Sequence, residues 1–248
     1  MHIDNPMRYF VSLAYDGTNF HGWQVQPNGV SVEGEVEKAI ATLLRHPVDI
    51  VGAGRTDAGV HATMMVAHFD WDETIDEKQF AYRLNRILPP AISISKVEKV
   101  ADGMHARFSA RKRTYRYFVH TRKDPFLYDR SLELRYTPDF QAMNDVAGEL
   151  LTHSDFSAFC KSNSDTKTTS CHIYNAMWTR TSEYSWYFEI SADRFLRNMV
   201  RAIVGTLLLV GRGLMDKEGF RKVIESGNRQ EAGDSVPAHA LFLHQIEY

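Results

Sequence analysis

Apolar and polar positions recur along the chain with two different periods, which predict a mixture of strands and helices. Alternating or continuous runs of branched and aromatic residues predict strands over residues 8–15, 60–70, 92–100, 114–120, 171–180, 184–191 and 241–248. Apolar residues spaced three and four apart predict helices over residues 32–44, 80–88, 140–151, 194–210 and 216–226. Ser31 is the expected N-cap of the first helix, and Pro89-Pro90 ends the second.

The order of these elements predicts an α+β fold. We expect two α/β halves, fused across a largely antiparallel central sheet with helices packed on it. The N-terminal half is assigned to residues 1–105 and the C-terminal half to residues 106–248. No linker rich in Pro, Ser or Gly separates them, so one compact unit is expected. The polar segment 153–171 is rich in Ser, Thr and Lys and is expected to form a mobile loop.

The composition excludes several classes of protein. The 248 residues are 44% hydrophobic, enough for a packed core. The N-terminus has no apolar signal core, and no stretch approaches the ~18 apolar residues of a membrane span. The two cysteines, Cys160 and Cys171, form no CxxC pair. A disulfide framework or a structural zinc site is therefore not expected. We expect a reducing, cytoplasmic setting.

Basic residues are concentrated in two parts of the chain, although the net charge is only −2. Residues 106–123 contain seven Lys or Arg and no acid, and residues 194–214 contain four Arg and no acid. Such segregation can attract a polyanion such as a nucleic acid. The alternative is a solvated face with local ion pairs, which a charge run alone favours.

The segment Val51-Gly-Ala-Gly-Arg-Thr-Asp-Ala-Gly-Val-His61 carries the most distinctive chemistry. Its three glycines would let another chain approach the backbone closely, and they stand at positions 52, 54 and 59. A cation, Arg55, and a carboxylate, Asp57, flank Thr56. The spacing lacks the features of a phosphate-binding loop. On these residues alone, an active site and a Gly-rich turn capped by the aspartate are equally good interpretations.

Four segments, in order along the chain, resemble motifs of the TruA-type tRNA pseudouridine synthases. Residues 54–62 resemble the family's signature, and residues 15–24 its N-terminal motif. Residues 113–117 resemble its central tyrosine motif, and residues 195–205 its long C-terminal helix. The resemblance spans almost the whole chain. It implies a pseudouridine synthase fold and a homodimer that converts uridine to pseudouridine at positions 38, 39 and 40 of the tRNA anticodon arm, without a cofactor.

The resemblance also implies roles for individual residues. Asp57 is the catalytic carboxylate, and whether it attacks C1′ or removes a sugar proton stays open. Arg55 takes the place that the flipped-out base leaves, and Tyr115 stacks on that base. Arg201 is the expected cation that keeps Asp57 ionised, since burial alone would raise the pKa of the carboxyl. Arg197, one predicted helical turn before Arg201, is the alternative partner or a phosphate contact.

Four more residues are expected to bind the substrate: Thr56, His61, Lys112 and Arg113. Histidine titrates near neutral pH, but the isomerisation does not obviously require a histidine base. We therefore expect a structural or RNA-contacting role for His61. Lys112 and Arg113 belong to the basic segment 106–123.

Two other functions compete with an RNA isomerase. A non-catalytic RNA-binding module would be free to lose Asp57, Arg55 and Arg201, and all three are present. A small-molecule hydrolase with paired carboxylates would need a second acid close to Asp57. The nearest acids in the sequence, Asp49 and Asp70, flank the motif. An isomerase is the favoured function.

Overall fold

The computed structural model describes residues 6–161 and 167–248, which divide into two compact units. The first contains the described residues up to Arg111 together with Leu243–Tyr248, and the second is Lys112–Phe242. The last strand of the chain therefore lies mostly in the first unit.

The described residues form strands and α-helices in the following order: β1 (Met7–Tyr15), α1 (Val32–Leu44), β2 (Val51–Gly52), β3 (His61–Trp71), α2 (Glu77–Ile87), β4 (Ile92–Val100), β5 (Lys112–His120), β6 (Leu132–Glu133), α3 (Phe140–Ala147), β7 (Ile173–Arg180), β8 (Ser185–Ala192), α4 (Met199–Gly211), α5 (Lys217–Ser226) and β9 (Leu241–Glu247). The described strand pairs are antiparallel, except that β5 and β6 run parallel. The α+β class and the mostly antiparallel sheet are therefore confirmed.

In the first unit the strands lie in the order β4-β1-β3-β9, and β2 pairs with β3. Helix α1 begins where predicted, because the Ser31 hydroxyl accepts the Gly34 N–H at 3.2 Å. Helix α2 is capped in the same way by Asp76, which accepts the Gln79 N–H at 3.0 Å. Both helices bury an apolar face, as their spacing of apolar residues requires.

In the second unit the strands lie in the order β5-β8-β7, and β6 lies beside β5. Tyr117 and Phe188, paired across β5 and β8, are completely buried. Helix α4 is apolar around most of its circumference and buried along nearly its whole length. Such a helix lies in the core.

Helix α4 begins at Met199, and the predicted start at residue 194 is wrong. Asn198 lies directly before the helix with a φ of 67°, in the left-handed region, which ends any helical path through it. Residues 194–198 are not helical. Arg197 is therefore not one helical turn before Arg201, and the two arginines do not share a helix face.

Part of the predicted loop 153–171 is ordered. Ser157–Phe159 forms a single 3-10 turn, and Phe156 and Phe159 are completely buried. Asp155 and Ser170 form an isolated bridge that joins the two ends of the segment. Residues 162–166 of the predicted loop lie outside the described residues. Across the described ranges, no helix is long and apolar enough to cross a membrane.

Candidate active site

Asp57 lies in the connection between β2 and β3, in a tight turn. The Val60 N–H donates to the Asp57 carbonyl oxygen at 3.1 Å, which closes a β-turn over residues 57–60. Gly59, the third residue of that turn, has a φ of +79°, as a type II turn requires. Asp57 is half-buried and Arg55 is exposed. The turn therefore leaves part of the acidic residue accessible beside an exposed cation.

This turn packs directly against residues 17–23, with main chain against main chain. A Cβ on Gly17 would lie 2.0 Å from the Val60 carbonyl oxygen, so only glycine fits there. A Cβ on Gly22 would lie 2.3 Å from the Thr56 carbonyl oxygen, and Gly22 has a φ of +87°. The same carbonyl accepts the Trp23 N–H at 3.3 Å. The Asp57 turn and residues 17–23 therefore fix each other's position.

Side chains also hold the segment before Asp57. The Tyr15 and Thr56 hydroxyls lie 2.9 Å apart in a hydrogen bond. The Trp23 indole N–H donates to Glu33 Oε1 at 3.1 Å, while burial raises the pKa of Glu33. A Cβ on Gly52 would lie 2.4 Å from the Trp23 ring nitrogen. Thr56 thus bonds within the protein, as an anchor of the turn.

His61 is buried, with about 1% of its surface exposed. Its Nδ1 accepts the Gly17 N–H at 3.1 Å and also lies 3.2 Å from Asp16 Oδ1. These two contacts need opposite protonation of Nδ1. Because the Gly17 amide always carries its hydrogen, Nδ1 is the acceptor in that contact. Asp16 already accepts hydrogen bonds from the Thr18 amide and hydroxyl, which form a local turn.

Tyr115 lies on β5 in the second unit and is half-buried. Its ring meets Phe195 edge to face, with centroids 5.1 Å apart. Tyr117 follows Tyr115 by two residues on β5, and its hydroxyl donates to the Pro237 carbonyl oxygen at 3.0 Å. Burial raises the pKa of Tyr117, so this hydroxyl stays a neutral donor.

Arg201 and Arg197 lie in different surroundings. Arg201, on α4, is half-buried, and its Nε donates to the Val236 carbonyl oxygen at 2.7 Å. Arg197 precedes the helix and is exposed, and its carbonyl accepts the Lys161 N–H at 3.0 Å. The helical spacing predicted a shared face for these arginines, and the turn at Asn198 removes it.

The basic segment at the start of β5 is only partly available for an RNA. Arg116 forms an ion pair with Glu189 at 2.8 Å and lies over the Tyr187 ring. Arg113 Nη1 donates to the Asp193 carbonyl at 2.8 Å, and Lys112 is half-buried. Local pairing therefore accounts for Arg116, while the RNA contacts of Lys112 and Arg113 stay predictions.

One group of polar residues near Arg201 has no counterpart among the residues predicted from the sequence. Arg229, Ser235 and Asn198 are joined by hydrogen bonds around the main chain that contacts α4. Asn198 and Ser235 are 37 residues apart in the sequence, so no local sequence pattern predicts that they meet. Within the described ranges, no group of three or more His, Cys, Asp or Glu residues is arranged to hold a metal ion.

Comparison with known proteins gives one consistent result. The sequence profile of a family described as tRNA pseudouridine synthase matches residues 12–109 and 146–248. A protein of Parabacteroides distasonis named tRNA pseudouridine synthase A is 54% identical over 242 residues, 97% of this chain and 96% of that protein. The protein of that name from Bacteroides fragilis has the same identity and coverage. The one from Bacillus subtilis is 38% identical over 246 residues, 98% of this chain and 99% of its own.

Proposed function

Because this chain belongs to the tRNA pseudouridine synthase family, and so converts uridine in tRNA to pseudouridine, we propose that it acts on the anticodon arm at positions 38, 39 and 40, with Asp57 as its catalytic carboxylate. One observation carries the assignment of Asp57: its turn is fixed by two main-chain contacts that only glycine permits, at Gly17 and Gly22. Such pre-organisation keeps a reacting group in place during catalysis.

The reaction breaks the N1–C1′ bond of uridine and forms a C5–C1′ bond. The base turns between these steps, the proton on C5 leaves and N1 gains a proton, so nothing is oxidised or hydrolysed overall. Asp57 takes part as a carboxylate, either by attacking C1′ or by removing a sugar proton. Since the atoms and electrons balance within the substrate, the reaction requires no cofactor.

Arg55 fills the position that the target base leaves when it turns out of the stem. The exposure of Arg55 beside the half-buried Asp57 supports this role. A guanidinium can stack on neighbouring bases and hydrogen-bond to the phosphate backbone at the same time. Arg55 therefore stabilises the flipped-out state, and Asp57 performs the chemistry on it.

Tyr115 stacks on the turned-out uracil, and Arg201 supplies the positive charge that keeps Asp57 ionised. The edge-to-face contact with Phe195 sets the plane of the Tyr115 ring. The hydrogen bond from Nε to Val236 orients the Arg201 guanidinium. The Nη1 and Nη2 groups of a guanidinium can together bind both oxygens of a carboxylate, without using Nε.

The remaining predicted residues divide into two groups. Thr56 and His61 shape the Asp57 turn from within, as the hydrogen bond of Thr56 and the burial of His61 suggest. Lys112, Arg113 and Arg197 contact tRNA phosphates.

We place the enzyme in the cytoplasm, as a homodimer in which one protomer holds the tRNA body while the other modifies the anticodon arm.

Incubation of the protein with an unmodified tRNA transcript, followed by chemical mapping of pseudouridine, tests this function. Product at positions 38, 39 or 40, and not in the other stems, is expected. A transcript with cytidine at those three positions is the matched control and should yield none. Product at other positions would overturn the proposed specificity, and tRNA binding without any product would favour the non-catalytic binding module.

A further inference from the structure

Residues 232–237, here called the strap, lie along helix α4 and contact it through their main chain. The Gly233 N–H donates to the Thr206 hydroxyl at 2.9 Å, and that hydroxyl donates to the Ala202 carbonyl at 2.8 Å. A Cβ on Gly205 would lie 1.8 Å from the Asp234 carbonyl oxygen. Glycine at position 205 is therefore required for this close contact between strap and helix.

The strap holds Arg201 at two points. The Val236 N–H donates to the Arg201 carbonyl at 3.2 Å, and the Arg201 Nε donates to the Val236 carbonyl at 2.7 Å. One strap residue thus fixes both the main chain and the guanidinium of Arg201. A shift of Val236 would change the direction in which that guanidinium points.

Arg229 also holds the strap, through hydrogen bonds to two of its residues. Its Nη1 donates to the Gly233 carbonyl at 3.1 Å, and its Nη2 donates to the Ser235 hydroxyl at 2.8 Å. Ser235 also accepts the Asn198 side-chain amide, directly before the first turn of α4. The rigid guanidinium fork suits a clamp of this kind, because it presents several donors in one plane.

We infer that Arg229 is a positioning residue for catalysis: through Ser235 and the strap it sets the orientation of Arg201. This inference rests on the proposed function, since it requires Arg201 to act in the isomerisation. In this role Arg229 acts on Arg201 through the strap and does not contact the tRNA. Its loss should therefore lower the rate of the chemical step and leave the affinity for tRNA unchanged.

The test compares Arg229→Ala, Arg229→Lys and Ser235→Ala under single-turnover conditions with saturating tRNA. We expect Arg229→Ala to slow pseudouridine formation by about 10- to 100-fold, the size of effect that a misplacement of roughly 1 Å produces. The tRNA dissociation constant should stay within about twofold of the wild type. Arg229→Lys should recover part of the rate, because an ammonium can still donate to the strap.

Arg180→Ala is the matched control. Arg180 also closes a loop through main-chain carbonyls, donating to those of Ser182 at 2.8 Å and Glu183 at 3.0 Å, but it bonds to no strap residue in the hydrogen bonds described. Its loss should change thermal stability without changing the single-turnover rate. Thermal melts of all variants confirm that the rates are compared below each melting temperature.

Two outcomes separate the inference from the function on which it rests. If Arg201→Ala keeps the full rate, the role proposed for Arg201 is wrong. If Arg201→Ala is inactive while Arg229→Ala and Ser235→Ala, both folded, keep the wild-type rate, only the inference is overturned. Should Arg229→Ala fail to fold, Ser235→Ala decides alone, because it removes a single hydroxyl.

A double variant tests the coupling directly. In an Arg201→Lys background, the additional loss of single-turnover rate from Arg229→Ala should be much smaller than in the wild type.

Discussion

Gly22→Ala is the most informative substitution outside the reacting residues, because it moves the Asp57 turn without changing its sequence. The new Cβ would lie 2.3 Å from the Thr56 carbonyl oxygen and 3.1 Å from the Asp57 carbonyl carbon. Gly22 also has a φ of +87°, which an alanine adopts only with strain. Both effects act on the segment that carries the carboxylate.

The expected magnitude follows from these distances. Ordinary contact begins at 3.4 Å, so the Thr56 carbonyl must move by about 1 Å. A shift of that size in a reacting group costs roughly 100-fold in rate. The left-handed backbone costs about 1–2 kcal/mol and overpacking about 1–3 kcal/mol, so the free energy of unfolding should fall by roughly 2–5 kcal/mol.

Gly54→Ala is the control in the same motif. Its Cβ would meet nothing within 4 Å, so its free energy of unfolding should stay within about 1 kcal/mol of the wild type. Urea unfolding followed by tryptophan fluorescence and single-turnover pseudouridine formation are the two assays. A Gly22→Ala protein with wild-type stability and rate would refute the argument. A slower Gly54→Ala enzyme with unchanged stability would mean that Gly54 serves the close approach of the RNA.

Three further predictions concern charge. Lys112→Ala and Arg113→Ala should each weaken tRNA binding and flatten the salt dependence by about one phosphate contact; unchanged slopes in both would make these residues a solvated face. Arg201→Ala should abolish most of the chemical rate, whereas Arg197→Ala should chiefly weaken tRNA binding, and the reverse pattern would exchange the two roles. Burial lowers the pKa of His68 to about 4 from its usual 6.5, so stability present above pH 6.5 should be lost as the pH falls to 4. The free energy of unfolding should fall by about 3 kcal/mol over this range, and this fall should vanish in His68→Asn. An equal pH dependence in that variant would contradict the role of His68.

The sequence predicts elements well where the pattern is local. The strand over residues 92–100 is found with the predicted bounds, because polar residues separate its apolar ones. Ser31 caps α1 as expected, since an N-cap needs only an oxygen three residues before the donor. The family is recognisable from the sequence for the same reason: each of its motifs is one continuous run of residues.

Features that depend on distant contacts are not predictable from such patterns. The apolar spacing continues through residues 194–198, yet the helix starts at Met199. Asn198 is left-handed there, and its side chain bonds to Ser235, 37 residues later. Likewise, no sequence signal joins Gly22 to Thr56 or Gly205 to Asp234, because each glycine is explained by a carbonyl oxygen elsewhere in the chain.

The most direct test of the central claim is single-turnover pseudouridine formation by Asp57→Asn on unmodified tRNA, with the tRNA dissociation constant measured on the same preparation. The side chain keeps its shape and loses its charge, so we expect no detectable product and an affinity within about threefold of the wild type, because phosphate contacts dominate binding. Asp49→Asn, an exposed acid just before the motif, should remain fully active. Pseudouridine formed by Asp57→Asn, with contamination by wild-type enzyme excluded, would contradict the assignment of Asp57.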